Sequence, residues 1–577
     1  MDFNSHLLNS GLVFFKNKDY TQAKKIFSEI LNKNSNHFNS CFYCALTDGL
    51  LGNYQESIVM YQKCLALMPD NTTVLNNLGY MNKCAGDKQA ALDSWHKALT
   101  NEPNNFDVLE NLGLFYKEFG PLSDAVGAFD KILSVDPLHF NSLVNQGNTL
   151  IKMRLFDEAL SSFNDAYKLN PDHPSLLNSL SNAYVEVGQL STALKYSKLS
   201  VEKFPKASNA HNGLGLVYRE LKQYDEAVTC FENAALCDPN SIPAQSNLVK
   251  ALYLSSNFDA AIKSSKKQLE IYLKSHHSDL NKDIFNLPTG KLLHDIDQAK
   301  FIYTSGHTLN GINNFIEIGE SIKERATVIN SISNFKITRS EYIAMLPYLT
   351  DTFLYDPHHQ IKNCLNPEID WKKIENNYLS SERQVTSIDN FLTSEALEYF
   401  RKFCNFSKCW TTNYDNNYLG AFARQGFISA PHLQLAKELK LAMPNILRNY
   451  DLEQLWGFKY ESTMNKGIGV HADSAAVNLN FWITPDICNL NKDSGGMIIY
   501  TKPAPINWTF QEYNGNENLI YDFLGGDDAE HVRIPYRSNR ATLFNSALFH
   551  ETDSLIFQEG YSSRRVNMTY LFGTQLL

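Results

Sequence analysis

No apolar run in the chain approaches the ~20 residues that a helix needs to cross a bilayer, so no membrane partner is expected. Positive charge is in deficit, with 52 Lys and Arg against 62 Asp and Glu and a formal net charge of −10. That balance leaves no overall electrostatic footprint for nucleic acid or anionic lipid. Cysteine is sparse and scattered, ten residues between positions 41 and 488, which excludes a disulfide framework and favours a reducing compartment. Cys41 and Cys44 form a C-x-x-C with no second pair nearby, and read as two helix residues one turn apart. The opening "MDFNSHLLNSGLVFFKNKDY" has neither a basic start nor a long apolar core, so no signal peptide is expected and the location should be cytoplasmic. What remains is a soluble balance, 43% hydrophobic and 20% charged, over a length that implies about two to four domains.

What is present first is a repeat. Pro69, Pro103, Pro137, Pro171, Pro205 and Pro239 stand 34 residues apart. Ten residues after a proline comes a small residue (Gly79, Gly113, Gly147, Ser181, Gly215), and twenty-two after comes alanine (Ala91, Ala125, Ala159, Ala193, Ala227, Ala261). Aromatics follow at Trp95, Phe129, Phe163 and Phe231. Small positions let two helices approach, and the proline ends the second of them. The pattern resembles the tetratricopeptide repeat (TPR), a helix–turn–helix unit. Carried back through Gly11, Ala23 and Phe27, it gives eight units over residues 4 to about 275. Stacked units of this kind imply an all-α solenoid, a right-handed superhelix with a concave groove. Asn77, Asn111, Asn145 and Asn247 share one slot of the repeat, interrupted by Tyr43, Ser179 and Gly213. Their amides offer both a donor and an acceptor to an extended backbone, and the arrangement is similar to the asparagine ladder in the repeats of O-GlcNAc transferases. Asn77, Asn111 and Asn145 are therefore candidate peptide-binding residues, and a protein or peptide partner is expected on the concave face; tolerated asparagines are the plainer alternative.

From residue 276 the ruler fails, and residues 276–383 read as a helical connector with a hinge at "SHHSDLNKDIFNLPTGKLLHDIDQ". The doublets His276–His277 and His358–His359 read as solvated loop residues. Near 384 the texture changes again: an opening strand, "RQVTSIDNFL", two helices with Thr393 or Ser394 as N-cap of the first, and then short β-rich runs. Helices followed by six or more strands imply a β-sandwich or barrel braced by helices over residues 384–577.

Those strands carry the chemistry. In "GVHADSAAVNLNFWITPD" His471 and Asp473 are two residues apart, a spacing that points both side chains the same way on an extended segment. "RATLFNSALFH" reads as one strand ending on His550, 77 residues after Asp473. Two histidines and one carboxylate with other positions open form the facial triad of non-haem Fe(II) oxygenases. In "SSRRVNMTYLFG" alternation puts Arg565, Asn567 and Thr569 on an inner face and Val566, Met568, Tyr570 and Phe572 on an outer one. An inward guanidinium requires an anionic partner, and its fork matches a carboxylate. Arg564 is the alternative should a bulge shift the register. Tyr460 and Tyr500 are candidates for the pocket lining, and His531 has no partner motif. Parity puts Asn478 and Asn480 on the face opposite His471.

On these residues, with the paired glycines of "DSGGMIIY", the last third of the chain resembles the Fe(II)/2-oxoglutarate-dependent dioxygenases, in particular their prolyl-4-hydroxylase-like branch. Collagen prolyl 4-hydroxylases of animals carry lysine where this chain offers Arg565, which separates it from their narrower substrate analogy. The resemblance implies a double-stranded β-helix, a jelly-roll barrel of eight strands. It implies Fe(II) held by His471, Asp473 and His550, and 2-oxoglutarate chelating the iron while Arg565 holds its C5 carboxylate. Dioxygen is the oxidant and ascorbate a possible support. The implied reaction couples oxidative decarboxylation of 2-oxoglutarate to hydroxylation of a peptide or protein side chain delivered by the groove. Two alternatives stay open: the same chemistry on a small molecule with the repeats recruiting partners, and a non-catalytic scaffold.

Overall fold

The 34-residue period becomes sixteen helices in eight consecutive pairs, from Phe3–Lys16 to Phe258–His276. The computed structural model describes residues 3–278, 280, 282–326, 334–414, 418–464, 467–505 and 508–574. Local signals set the helix starts: Asn71, Asp87 and Asn105 each accept a hydrogen bond from the backbone N–H three residues on, which satisfies an otherwise orphaned N–H. The small residue and the aromatic of the ruler meet inside each pair. A Cβ on Gly113 would lie 2.7 Å from the Phe129 ring, and Phe129 is fully buried, so the ring has nowhere to go. Cys41 and Cys44 lie buried on one helix, Phe38–Leu50. No helix among the described residues is long and apolar enough to cross a membrane.

The chain divides into two compact units, Met1–Lys203 and Phe204–Leu577. The second begins within the repeat array. Its last repeats pack on the β-rich region through Val249, Leu252 and Ile262 against Ile428 and Leu433. Polar pairs flank that seam: Lys250 with Glu453, the Tyr253 hydroxyl donating to the Leu452 carbonyl, and the Tyr224 hydroxyl donating to Asp451 at 2.9 Å.

The connector is more than helical. Helices Thr289–Thr304, Ile312–Ala326 and Arg339–Leu349 accompany a two-stranded antiparallel sheet of β1 (Ile284–Pro288) and β2 (Asn334–Thr338). Part of the expected hinge is therefore a strand and a helix. Of the histidine doublets, His276 closes the last repeat helix, while His277 is half-buried and bonded to the Tyr342 hydroxyl. His358 and His359 meet Asp259 and Asp356 near the surface.

The β-rich region contains β3 (Val385–Ile388), β4 (Thr412–Tyr414), β5 (Tyr418–Phe422), β6 (Leu452–Tyr460), β7 (Thr463–Met464), β8 (Ala475–Trp482), β9 (Met497–Pro503), β10 (His531–Ile534), β11 (Ala541–Asn545), β12 (Leu548–Thr552), β13 (Leu555–Ile556) and β14 (Val566–Thr574). All the pairings are antiparallel. A seven-stranded sheet runs β3-β11-β8-β14-β6-β5-β4, a three-stranded sheet β10-β9-β12, and a two-stranded ribbon β13-β7. Among the described residues these sheets do not close into a barrel. One face of the large sheet, with Leu479, Phe481, Leu543, Met568 and Tyr570, is buried against helices Ser394–Phe406 and Ala430–Ala442 through Phe400, Phe403 and Leu439. Thr393 is the N-cap of the first of these helices.

One strand expected from the sequence is in fact two. "RATLFNSALFH" turns between β11 and β12, with Asn545 Oδ1 accepting from the Ala547 backbone at 3.0 Å. An asparagine can close such a turn on its own backbone. His550 therefore lies in the small sheet while β11 lies in the large one. Replacing Gly113 by Val should destabilise the repeats by about 1–3 kcal/mol; an unchanged thermal midpoint in far-UV circular dichroism would contradict the Gly113–Phe129 packing described here.

Candidate metal centre

His471 belongs to no strand, yet it is bridged to His550 on β12. The His471 N–H donates to the His550 carbonyl at 3.0 Å, and the His550 N–H returns the bond at 2.8 Å. The two rings lie 4.3 Å apart between centroids. Asp473 is anchored beside them by its N–H, which donates to the Ser546 carbonyl at 3.1 Å. Its carboxylate oxygens approach His471 Nε2 at 3.9 Å and His550 Nε2 at 3.4 Å. One ligand atom from each of the three lies within 4.8 Å of the others, a grouping that can hold a metal ion.

The tautomers suit that use. His471 Nδ1 faces the Gly469 carbonyl at 2.8 Å and His550 Nδ1 faces the Leu548 carbonyl at 3.1 Å. An Nδ1–H donated to a carbonyl leaves the Nε2 lone pair free for an ion. Burial, reinforced by the neighbouring His550, pulls the His471 imidazole below its ordinary value and favours the neutral ring. Burial alone would raise the Asp473 carboxyl; hydrogen bonds and charge from His550, His471 and Asn478 outweigh it and hold the group below its usual range.

Asn478 and Asn480 depart from the sequence expectation. Asn478 Nδ2 donates to Asp473 Oδ2 at 2.7 Å, and Asn480 Nδ2 donates to Asn478 Oδ1 at 2.6 Å. Asn480 Oδ1 then accepts from Asn567 Nδ2 at 2.7 Å and Thr569 Oγ1 at 2.6 Å. An amide relay thus runs from β14 across β8 to the carboxylate. Parity failed because β8 starts at Ala475, so counting in twos from His471 crosses a bend that is not strand. The polar pair Asp473–Ser474 ahead of the apolar run was the available signal.

Arg565, Asn567 and Thr569 line one cavity of about 490 Å³ with the three candidate ligands, while Val566, Met568, Tyr570 and Phe572 face the helices, as alternation predicts. Arg565 is 2% exposed. Its Nε donates to the Gly495 carbonyl at 2.6 Å and its Nη2 to the Gly496 carbonyl at 3.1 Å. The guanidinium sits 4.6 Å from the Tyr460 ring centroid and 5.7 Å from that of Trp482. Nη1 is buried without a hydrogen-bond partner, and among the described residues no carboxylate forms an ion pair with Arg565. Burial depresses its pKa. The glycine pair is needed for this cradle: Gly495 has φ +84°, and a Cβ on Gly496 would overlap the Ile534 carbonyl. Arg564 points elsewhere, to Asp297 at 2.8 Å and Glu461 at 3.1 Å. Tyr460 lines the cavity; Tyr500 does not, and donates instead to Glu551 at 2.5 Å. His531 lies outside the cluster, its Nδ1 on the Ala529 carbonyl at 2.8 Å.

Asn77, Asn111 and Asn145 are half-buried. Asn111 Nδ2 donates to Asn76 Oδ1 at 2.9 Å in the preceding unit, and Asn247 does the same to Asn212 at 3.0 Å. Part of this slot's hydrogen bonding therefore joins one repeat to the next.

Comparison with known proteins finds the repeats. Residues 7–37, 140–173 and 208–241 match tetratricopeptide-repeat family models. A tetratricopeptide repeat protein from Parabacteroides merdae ATCC 43184 is 20% identical, with a TM-score of 0.37, over 42% of this chain and 97% of that one. Yeast Tom70 is 19% identical, with a TM-score of 0.37, over 46% of this chain and 60% of its own. No curated protein matches. The N-terminal region is a TPR array.

Asn478 orients Asp473 from behind, so Asn478→Ala should weaken Mn(II) binding by about 10–100-fold, read by electron paramagnetic resonance of the free ion, while His550→Ala removes it. An Asn478→Ala protein with unaltered affinity would show that the relay does not serve the carboxylate.

Proposed function

We propose that residues 384–577 form an Fe(II)- and 2-oxoglutarate-dependent dioxygenase that hydroxylates a side chain of a protein or peptide bound by the TPR array. The observation that carries this reading is the shared cavity of a His–Asp–His cluster and a buried arginine that has no ion-pair partner among the described residues. His471, Asp473 and His550 would hold Fe(II), which when bound supplies dioxygen activation. Two neutral nitrogens and one carboxylate are the donor set for that ion, with positions left open for a chelating co-substrate.

Arg565 accounts for the co-substrate. A desolvated guanidinium costs several kcal/mol unless an anion meets it, and among the described residues no carboxylate forms an ion pair with Arg565. The distal carboxylate of 2-oxoglutarate is the matching partner, presented to a fork already aligned by two glycine carbonyls. Tyr460 and Trp482 cover the guanidinium and keep water from it. The amide relay holds Asp473 in one orientation, so the ligand geometry is preorganised before anything binds. The large antiparallel sheet facing a smaller one is the arrangement from which a double-stranded β-helix is built, and we read this region as that fold.

Delivery by the repeats has its own support. Phe422, Gln454 and Trp456 line the candidate metal cavity and also a neighbouring one of about 290 Å³, whose other wall is Ser246, Asn247 and Lys250 of the last repeat. A chain held along that repeat therefore has an aromatic path toward the ligands. TPR arrays generally bind protein partners, and this continuity favours a polypeptide substrate over a small molecule.

With Fe(II), ascorbate and 2-oxoglutarate the purified chain should form succinate slowly without substrate, and His471→Ala should abolish it. Arg565→Met should raise the 2-oxoglutarate KM at least about 30-fold, the lower end of the ~2–5 kcal/mol lost on truncating one partner of a buried charge pair. Absence of both succinate and metal binding in the unsubstituted protein would refute the reading.

A further inference from the structure

A second cavity, of about 560 Å³, lies between the end of the last repeat helix, β1, helices Thr289–Thr304 and Arg339–Leu349, and the segment 408–413. That volume is within the about 300–1,000 Å³ of small-molecule sites. Its walls are apolar at Leu273, Leu287, Leu292 and Leu349. Among the described residues that line it, Lys282, Lys291 and Lys408 stand with one carboxylate, Asp295. Asp295 is already engaged, by Lys291 and by His294 Nδ1 at 3.2 Å. Of the two histidines on its rim, burial holds His277 down to about 4 and hence neutral.

Lys408 is the exceptional group. Its ammonium donates to the Tyr348 carbonyl and stands 3.5 Å from the centroid of the Tyr348 ring, and among the described residues it forms no ion pair. Burial pulls it down to about 7, and the charges of Asp295 and Asp351 offset that only in part. A charged head that accepts from Lys408, with an apolar body along the leucines, matches the ammonium and the walls of this cavity.

We propose that this cavity is a binding site for a small amphipathic carboxylate, its acid group on Lys408 and its apolar tail against Leu273, Leu287 and Leu292. The site is separate from the candidate metal centre, though the three-residue strand β4 is common to both: Thr412 and Asn413 line this cavity and Tyr414 lines the other. The proposal does not rest on the iron reading and is tested without metal.

Sodium decanoate is the probe, titrated calorimetrically at pH 6.5 into the metal-free full chain, with decan-1-ol as the uncharged control. One decanoate per chain should bind, and decanol at least tenfold more weakly. Lys408→Met should weaken decanoate at least tenfold. Ile284→Asp, placing a like charge at the lip where Ile284 is 56% exposed, should do the same without touching Lys408, which separates lost binding from lost folding. Arg565→Met should leave decanoate binding unchanged. The proposal fails if decanoate does not bind, if decanol binds as well, or if both cavity variants bind as the unsubstituted chain does. Loss in Arg565→Met alone would place the ligand in the metal cavity and equally overturn it.

Discussion

The reciprocal backbone pair between His471 and His550 is the joint on which the site depends. Each residue donates its N–H to the other's carbonyl, so two imidazoles separated by 79 positions are fixed to one another through main chain rather than through side-chain packing. His471 lies just ahead of β8 in the large sheet, and His550 lies on β12 in the small one. The bridge thus ties β12, an edge strand of the small sheet, to the segment just ahead of β8, an interior strand of the large one, at the place where the candidate ligands converge. Asp473 follows because its own N–H is tied to Ser546, in the turn that leads into β12.

Around that joint the protein spends its buried polarity in two ways. The relay from Thr569 and Asn567 through Asn480 and Asn478 is closed, each acceptor matched to a donor, and it ends on Asp473. Closed networks of this kind rigidify what they touch. Arg565 is the opposite case: two of its nitrogens are satisfied by glycine carbonyls and the third is left without a partner. A buried cation left open beside an aligned ligand cluster is costly to folding and useful to binding. Lys408 repeats the logic against the connector, where its ammonium rests on the Tyr348 ring and carbonyl instead of an acid.

Much of this was legible in the sequence, for identifiable reasons. The repeat was plain because a fixed period is imposed on every unit by the same contact, a small residue under an aromatic, as at Gly113 and Phe129. The faces of β14 are legible because Val566 to Tyr570 alternate, and the same alternation carried back to the residues just ahead of the strand puts Arg565 inward and Arg564 outward. Parity failed at Asn478 and Asn480 because it was counted across Ser474, where the chain is not a strand. The turn ahead of His550 is hard to see in the sequence because Asn545 and Ser546 interrupt an otherwise apolar run only briefly. The hairpin of β4 and β5 is too short to announce itself, and the Lys408 cavity is assembled from five segments with no shared motif.

The most direct test of the central claim is anomalous diffraction at the iron edge from crystals grown anaerobically with Fe(II) and 2-oxoglutarate. The account predicts one iron bonded to His471 Nε2, His550 Nε2 and an Asp473 oxygen, with 2-oxoglutarate reaching from the metal to Arg565. Iron bound elsewhere, or 2-oxoglutarate absent from Arg565 when the metal is in place, would contradict it.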